Sequence, residues 1–330
     1  MTGIRICSFL AGVAMMLAAG LPATAQDRIT IQVGYGPGGG FDGVARMIAG
    51  LLPDHLPGTP DIIVENVPGA GSLALARMVM VDDNRRGTRL ATIASALALS
   101  PVFEPETTDF DPRAVHYIAA LSNAASYCIA SRASGITDLR GLLDTPGVRI
   151  GATGRSSSTY TFPAALGRAL GGQFEIVVGF AGGPEIDLAM VRGDIEARCG
   201  VGLETINETG LGEDTVIVAE MAISPLNEVE GVDFALDHVT DPDLRAALAL
   251  VFASSSIHHP YVMAPQTPPE HVATMRAAFA AMVASPEFAA MNAARDVPFA
   301  PTVGADLVAR IEALLDQPDH IRALARTLVE

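Results

Sequence analysis

The sequence predicts an α/β fold in two lobes. Strand-like and helix-like segments alternate along the chain, which argues for helices packed around a mostly parallel sheet. Glycine-rich turns recur where a strand hands over to a helix. About 305 residues remain once an N-terminal leader is set aside, more than one hydrophobic core usually holds.

The leader comes first in the chain. Residues 1–25 carry a single basic residue, Arg5, then an apolar run from Ile6 to Leu21, then Ala23-Thr24-Ala25, the small-residue pattern of a signal peptidase site. Cleavage is expected before Gln26, giving an exported protein. Cys7 precedes the apolar run rather than ending it, so it does not read as a lipid-attachment cysteine. No later segment approaches about 18 uninterrupted apolar residues. All 21 basic residues are arginine, and loss of Arg5 leaves 20 against 37 acidic residues. Such acidity excludes nucleic acid and anionic membrane surfaces as natural partners. It does not exclude a small anion, because exposed charges are screened beyond roughly 8 Å. Cys128 and Cys199 are the only thiols outside the leader. An oxidising compartment permits them to pair, which would contribute on the order of 4 kcal/mol, and the alternative is two buried free thiols.

The stretch ITIQVGYGPGGGFDGVARMIAGLL at 29–52 is the most informative. Ile29, Ile31 and Val33 alternate as in a strand, and Phe41, Val44, Met47, Ile48 and Leu51 recur at helical spacing. Between them, Gly36, Gly38, Gly39 and Gly40 permit a turn whose N–H groups face one concavity at a helix N-terminus, a place for a carboxylate or phosphate. A second strand is expected at 61–65, followed by the turn Pro68-Gly69-Ala70-Gly71 and a helix from Ser72 to Val81. Further strands are expected at 90–94, 117–121 and 126–131. The turn 151–160 lies between a strand at 148–150 and a helix at 162–170, and the turn 179–183 between a strand at 174–178 and a helix ended by Gly193. Three such turns suggest one shared pocket. Thr267-Pro268-Pro269-Glu270 reads as a capping box before a helix at 272–283. Ser285 starts another helix, and 305–315 forms a third.

Four motifs, GPGGGFDGVAR at 36–46, VENVPGAGS at 64–72, GATGRSSS at 151–158 and FAGGPEIDLAMVRGDIEARCG at 180–200, resemble in order and spacing the periplasmic solute-binding receptors of tripartite tricarboxylate transporters, the Bug receptors. The resemblance runs the length of the mature chain. It implies a type II-like two-lobed binding protein, each lobe a mixed sheet flanked by helices, with the ligand cleft between them. One lobe would comprise 27–126 with 259–330 and the other 127–258. It implies a monomer without enzymatic activity or cofactor, binding a small carboxylated solute for a membrane permease. The family binds a ligand carboxylate in the first turn, through backbone and bridging water. Carried over, Tyr35, Gly36, Pro37, Gly38, Gly39, Gly40, Phe41 and Asp42 form one wall, with Ser95 and Ala96 beside it. Gly154, Arg155, Ser156, Ser157, Ser158 and Thr159, then Phe180, Ala181 and Gly182, face them. The chain departs from the family at Tyr35-Gly36-Pro37, where two prolines are more usual. It departs again at Val201-Gly202-Leu203, where relatives often carry tryptophan, so an aromatic wall must come from Phe41, Phe180 or Tyr160.

Several residues have a second reading. Asp42 reads first as a helix cap and dipole partner, and second as a contact for an amine. Arg155 offers a bidentate fork for a second carboxylate, or is a solvated loop arginine. One of Ser156, Ser157, Ser158 and Thr159 is expected to cap the following helix. His258-His259 would point to opposite faces of a strand, which argues against a metal site. Asp187, Asp194 and Glu196 read as solvated charge. Gly34, Gly36 and Gly39 satisfy G-x-G-x-x-G, so a dinucleotide-binding dehydrogenase is the enzyme alternative, opposed by the export signal and by Pro37. A receptor that presents its ligand to a membrane sensor kinase is the other alternative to a permease partner.

Overall fold

Eleven strands are found among the described residues of the computed structural model, which are 28–103, 109–122, 125–208, 210–226, 228–295 and 298–330. The expected leader at 1–25 and its cleavage point lie outside them. In chain order the strands are β1 (Ile29–Val33), β2 (Ile62–Asn66), β3 (Arg89–Thr92), β4 (His116–Ser122), β5 (Ser126–Ser131) and β6 (Val148–Ala152). They continue with β7 (Phe174–Val178), β8 (Ala197–Val201), β9 (Thr215–Met221), β10 (Pro260–Met263) and β11 (Ala300–Val303).

Two mixed sheets result. The first runs β11-β4-β10-β3-β1-β2 and the second β7-β6-β8-β5-β9. The strand–helix alternation read from the sequence produces the parallel pairs, β1 with β2 and β3, and β6 with β7 and β8. The remaining pairs are antiparallel, so neither sheet is mostly parallel. The reason lies in the connections. The chain leaves the first sheet after β4, enters the second at β5, and returns after β9 through the helix Pro242–Phe252 and the tight turn Ala253–Ile257 to β10. A strand arriving from the other sheet is not held to the parallel direction that a crossover helix imposes.

One apolar cluster lies on a single side of the first sheet, and a larger one runs from the first sheet into the second. Ile31 and Val33 of β1 pack with Ile48 and Leu52 above and with Tyr261 and Phe279 from the C-terminal third. In the second sheet β5 and β8 are buried along almost their whole length, as central strands covered on both faces must be. Cys128 of β5 and Cys199 of β8 are register partners and form a disulfide. The last helix, Asp319–Val329, grouped by the resemblance with the first lobe, packs against the helices Ser158–Leu170 and Pro242–Phe252.

Local expectations differ from the structure in two instructive places. The helix Pro269–Val283 starts at Pro268 without a side-chain cap, and Thr267 instead accepts a hydrogen bond from Asn84 Nδ2 at 3.2 Å. The helix after the second glycine turn begins at Ser158, not Phe162, and carries Pro163 within its first two turns. As the sixth helical residue, Pro163 cannot donate the i→i−4 bond that Thr159 O would otherwise accept.

Candidate functional site

Three helices begin at the same place. The helices Gly40–Leu51, Ser158–Leu170 and Gly183–Arg192 follow β1, β6 and β7, and none carries a side-chain cap on its N-terminus. Their first residues, Gly40 and Phe41, Ser158 and Thr159, and Gly183, line one cavity of about 50 Å³ between the two sheets. Each start contributes backbone N–H groups and the positive end of a helix dipole. Converging three of them makes a region that favours negative charge.

The fixed cation of this cavity is Arg198 of β8. It is buried, Nη1 is 2.6 Å from Asp187 Oδ1, and Nε has no partner among the described residues. The guanidinium therefore keeps a donor in hand after pairing with Asp187, the kind of group a carboxylate accepts from. The opposite wall is aromatic. Phe41 stacks at 4.6 Å from Tyr35 and from His259, and at 5.2 Å from His258. The two histidine rings lie 4.2 Å apart, both in the cavity wall. His259 has φ +49, so the chain is not extended there and the rings do not alternate between faces as a strand would require. Burial pushes the His258 imidazolium down to about 4. His259 is pushed down by burial and by His258, against the opposing hydrogen bond to Leu121. Both rings are neutral near pH 7.

The turn before the first helix is held by Asp42. Its Oδ2 accepts from Gly38 N at 2.9 Å and from Arg46 Nε at 2.9 Å, and its Oδ1 accepts from Asn66 Nδ2 at 3.0 Å. Burial alone would raise this carboxyl, but the bonds from Arg46, Gly38 and Asn66 hold it below the usual carboxylate range. Asp42 thus shapes the turn and is fully engaged, which removes it from the set of ligand contacts. Gly36 N donates to Ala181 O at 2.9 Å, across the gap between the sheets. Two amides that the sequence assigned to an anion are therefore already used, and the anion-facing amides begin at Gly39.

The second turn is held by hydroxyls. Thr153 Oγ1 donates to Ser157 Oγ at 2.9 Å, Ser157 Oγ donates to Gly154 O at 2.8 Å, and Thr159 Oγ1 accepts from Thr153 N at 3.0 Å. Ser157 stands at the helix start yet turns its hydroxyl back into the loop. Gly154 packs on the turn after β2: a Cβ there would lie 2.4 Å from Gly71 N and 2.5 Å from Ala70 C. Only glycine allows the two backbones to meet.

No sequence-family model matches the chain, and no curated protein matches it by sequence. Solved structures do match. MatC from Rhodopseudomonas palustris, solved with malate bound, is 18% identical, with 94% of this chain and 100% of that one covered and a TM-score of 0.71. The periplasmic binding protein BugD is 14% identical, covering 91% and 97% of the two chains, also at 0.71. A second R. palustris protein, solved with adipate, is 15% identical over 90% and 97% at 0.71. The chain has the two-lobed periplasmic binding protein fold. At these identities the likeness establishes the fold alone, and the cavity lies where this fold brings its lobes together.

Within that fold the sequence-assigned residues separate into groups. Tyr35, Gly39, Gly40, Phe41, Ser158 and Thr159 line the central cavity. Gly36, Ala181 and Gly182 form the contact between lobes instead. Pro37 and Gly38 are exposed. Gly154, Arg155, Ser156, Phe180 and Ala181 border an outer groove of about 570 Å³ together with Pro68 and Arg77. Arg155 is exposed, donates to Tyr160 OH at 2.7 Å and lies over its ring, so its fork points away from the cavity. Ala96 borders a third pocket near Val329, and Ser95 is buried next to it with no hydrogen-bond partner for Oγ among the described residues. Arg198, His258, His259 and Thr205 are cavity residues that sequence reasoning did not assign. The legible signal for Arg198 was an arginine inside a strand that is otherwise small and apolar. Of the G-x-G-x-x-G glycines, Gly34 is pressed against Ser72, whose Oγ would lie 2.0 Å from a Cβ, and the Gly36 amide is donated to Ala181 O, which leaves that amide closed to a pyrophosphate.

Proposed function

We propose that this protein is an exported receptor that captures a small carboxylated solute between its lobes and presents the closed complex to a membrane transporter of the tripartite tricarboxylate type. One observation carries the reading: three uncapped helix N-termini and the buried Arg198 converge on one cavity between the two sheets. The chemistry suits a carboxylate, which accepts from a guanidinium and from backbone amides at once. The fold neighbours solved with malate and adipate support the same ligand class. A disulfide between Cys128 and Cys199 agrees with an oxidising compartment, as does the leader ending before Gln26.

The lobes, 27–126 with 259–330 and 127–258, part to admit solute and close on it. A cavity of about 50 Å³ holds only a few waters, so entry requires opening. Ligand contacts from both lobes shift the equilibrium toward the closed form. No helix among the described residues is long and apolar enough to cross a membrane, which fits a receptor that relies on a separate permease. In this reading the chain acts as a monomer and as a binder rather than a catalyst.

The test is calorimetry of the chain from Gln26 onward against dicarboxylates, tricarboxylates, aromatic acids and amino acids, with NAD as the control. Binding of one carboxylate class, lost in Arg198→Gln, is expected. Binding of NAD and of no carboxylate would refute the reading.

A further inference from the structure

His258 and His259 of the cavity wall stand beside the buried Glu204, and together they form a set of side chains with a different chemistry from Arg198. Glu204, His258 and His259 each bring one ligand atom to within 4.8 Å of the others. Glu204 and His259 are buried and His258 is nearly so. His259 Nδ1 lies 3.2 Å from Leu121 O. A carbonyl only accepts, so Nδ1 carries the proton and the lone pair sits on Nε2, which lies 3.7 Å from where a Cβ on Gly40 would stand. A backbone carbonyl fixing the outer nitrogen of an imidazole is the usual support of a metal-bound histidine. Gly202 lets the Glu204 carboxylate fold back over the end of β8, where a Cβ would meet it at 2.2 Å.

Charge logic ties this set to the solute. A carboxylate drawn in by Arg198 and the helix starts is purely an acceptor. It would meet the Nε2 lone pair of His259, an acceptor too, with the acceptor carboxylate of Glu204 within 4.8 Å of the histidine nitrogens. A cation between them turns that repulsion into coordination.

We propose that Glu204, His258 and His259 bind a first-row divalent transition-metal ion, and that an oxygen of the solute completes its coordination, so that the cargo is a metal–carboxylate chelate. The second half rests on the receptor reading above. Two imidazoles and one carboxylate leave at least one position open on a tetrahedral or larger shell, and this donor set suits zinc and its neighbours. Magnesium and calcium prefer all-oxygen shells and are poor occupants. Glu204 follows β8 of the second sheet, whereas the histidines stand where the chain re-enters the first, so the ion also joins the two sides of the cavity.

The experiment uses the chain from Gln26 onward, stripped with a chelator and then freed of it. Zinc or cobalt(II) salt alone is titrated by calorimetry, with the visible spectrum of cobalt as an independent readout. Succinate and malate, weak chelators themselves, are titrated with and without zinc. One ion per chain is expected. Removing a direct ligand should cost more than removing an outer partner, hence a loss above about 100-fold in Glu204→Gln and in His258→Gln, with unchanged circular dichroism. Dicarboxylate affinity should rise at least about tenfold with zinc. Absence of stoichiometric metal binding, or metal binding indifferent to both substitutions, overturns the site. Carboxylate binding equally tight with and without zinc overturns the chelate and leaves the receptor standing. Metal binding with no carboxylate bound in either condition overturns the receptor reading and the chelate together, and leaves the metal site.

Discussion

The turn at 36–42 and the turn at 153–159 do the same job with different chemistry. In the first, the buried carboxylate of Asp42 gathers an amide, a guanidinium and an amide side chain. In the second, Thr153, Ser157 and Thr159 satisfy one another and the backbone without any charge. Each turn delivers an uncapped helix start to the cavity, while Asp42 in one and Thr153 and Ser157 in the other are engaged within the turn itself. The charge that a solute would meet comes from elsewhere, from Arg198 on the strand behind the second turn. The difference teaches that a glycine- and hydroxyl-rich turn at a lobe boundary is first a device for close approach and shape, and only then a binding element.

The largest effect that would break this division belongs to Arg198. Arg198→Gln strands the half-buried Asp187, so unfolding in denaturant should show a loss of about 3–5 kcal/mol, and carboxylate binding should vanish. The paired change Arg198→Met with Asp187→Leu should regain most of that stability and none of the binding, which separates folding from recognition. Next comes the contact between the turns. Gly154→Ala places a methyl against Gly71 and should cost about 1–3 kcal/mol, concentrated in the closed form. Calorimetry should then report affinity about 10- to 100-fold lower, with little change in the melting point of the solute-free protein.

Smaller effects sharpen the contrast between the turns themselves. Asp42→Asn removes charge-assisted bonds and should cost about 1.5–3 kcal/mol, whereas Ser157→Ala should cost about 1 kcal/mol. Their pH dependence should differ in kind. The Asp42 carboxyl is held below its ordinary value of 3.8, so its contribution is present above that pH and is lost as pH falls through the lower folded value. Asp42→Asn should remove this acid-labile portion and Ser157→Ala should not. At milder pH the histidines act. His258 titrates near 4 in the folded chain against an ordinary 6.5, so between those values the unfolded chain binds more protons and stability falls on acidification. Melting curves in chelator should show that slope, reduced in His258→Gln.

Much of the fold was legible because β1, β5, β7 and the helix Ala305–Leu315 obey period and turn signals closely enough to fall on their predicted bounds. The antiparallel strands β10 and β11 were not. Each has four residues and a proline, and each exists because a neighbour in the sheet needs a partner, which is tertiary information. The cavity was half legible. Tyr35, Phe41 and Thr159 were reached through their motifs, while Arg155 borders the outer groove and Arg198, which the motifs did not single out, lines the central cavity. A loop arginine looks available in a sequence, and a strand arginine looks like a surface charge until both faces of its sheet are seen to be covered. The paired histidines were misread for a sharper reason. Alternation assumes an extended chain, and a positive φ at His259 suspends it.

A crystal structure of the chain from Gln26 onward with its tightest-binding carboxylate tests the central claim most directly. The account predicts a carboxylate oxygen at about 3 Å from the Arg198 guanidinium and from amides at the starts of the helices Gly40–Leu51, Ser158–Leu170 or Gly183–Arg192. A carboxylate held instead by Arg155 in the outer groove, with the central cavity closed to it, would contradict the account.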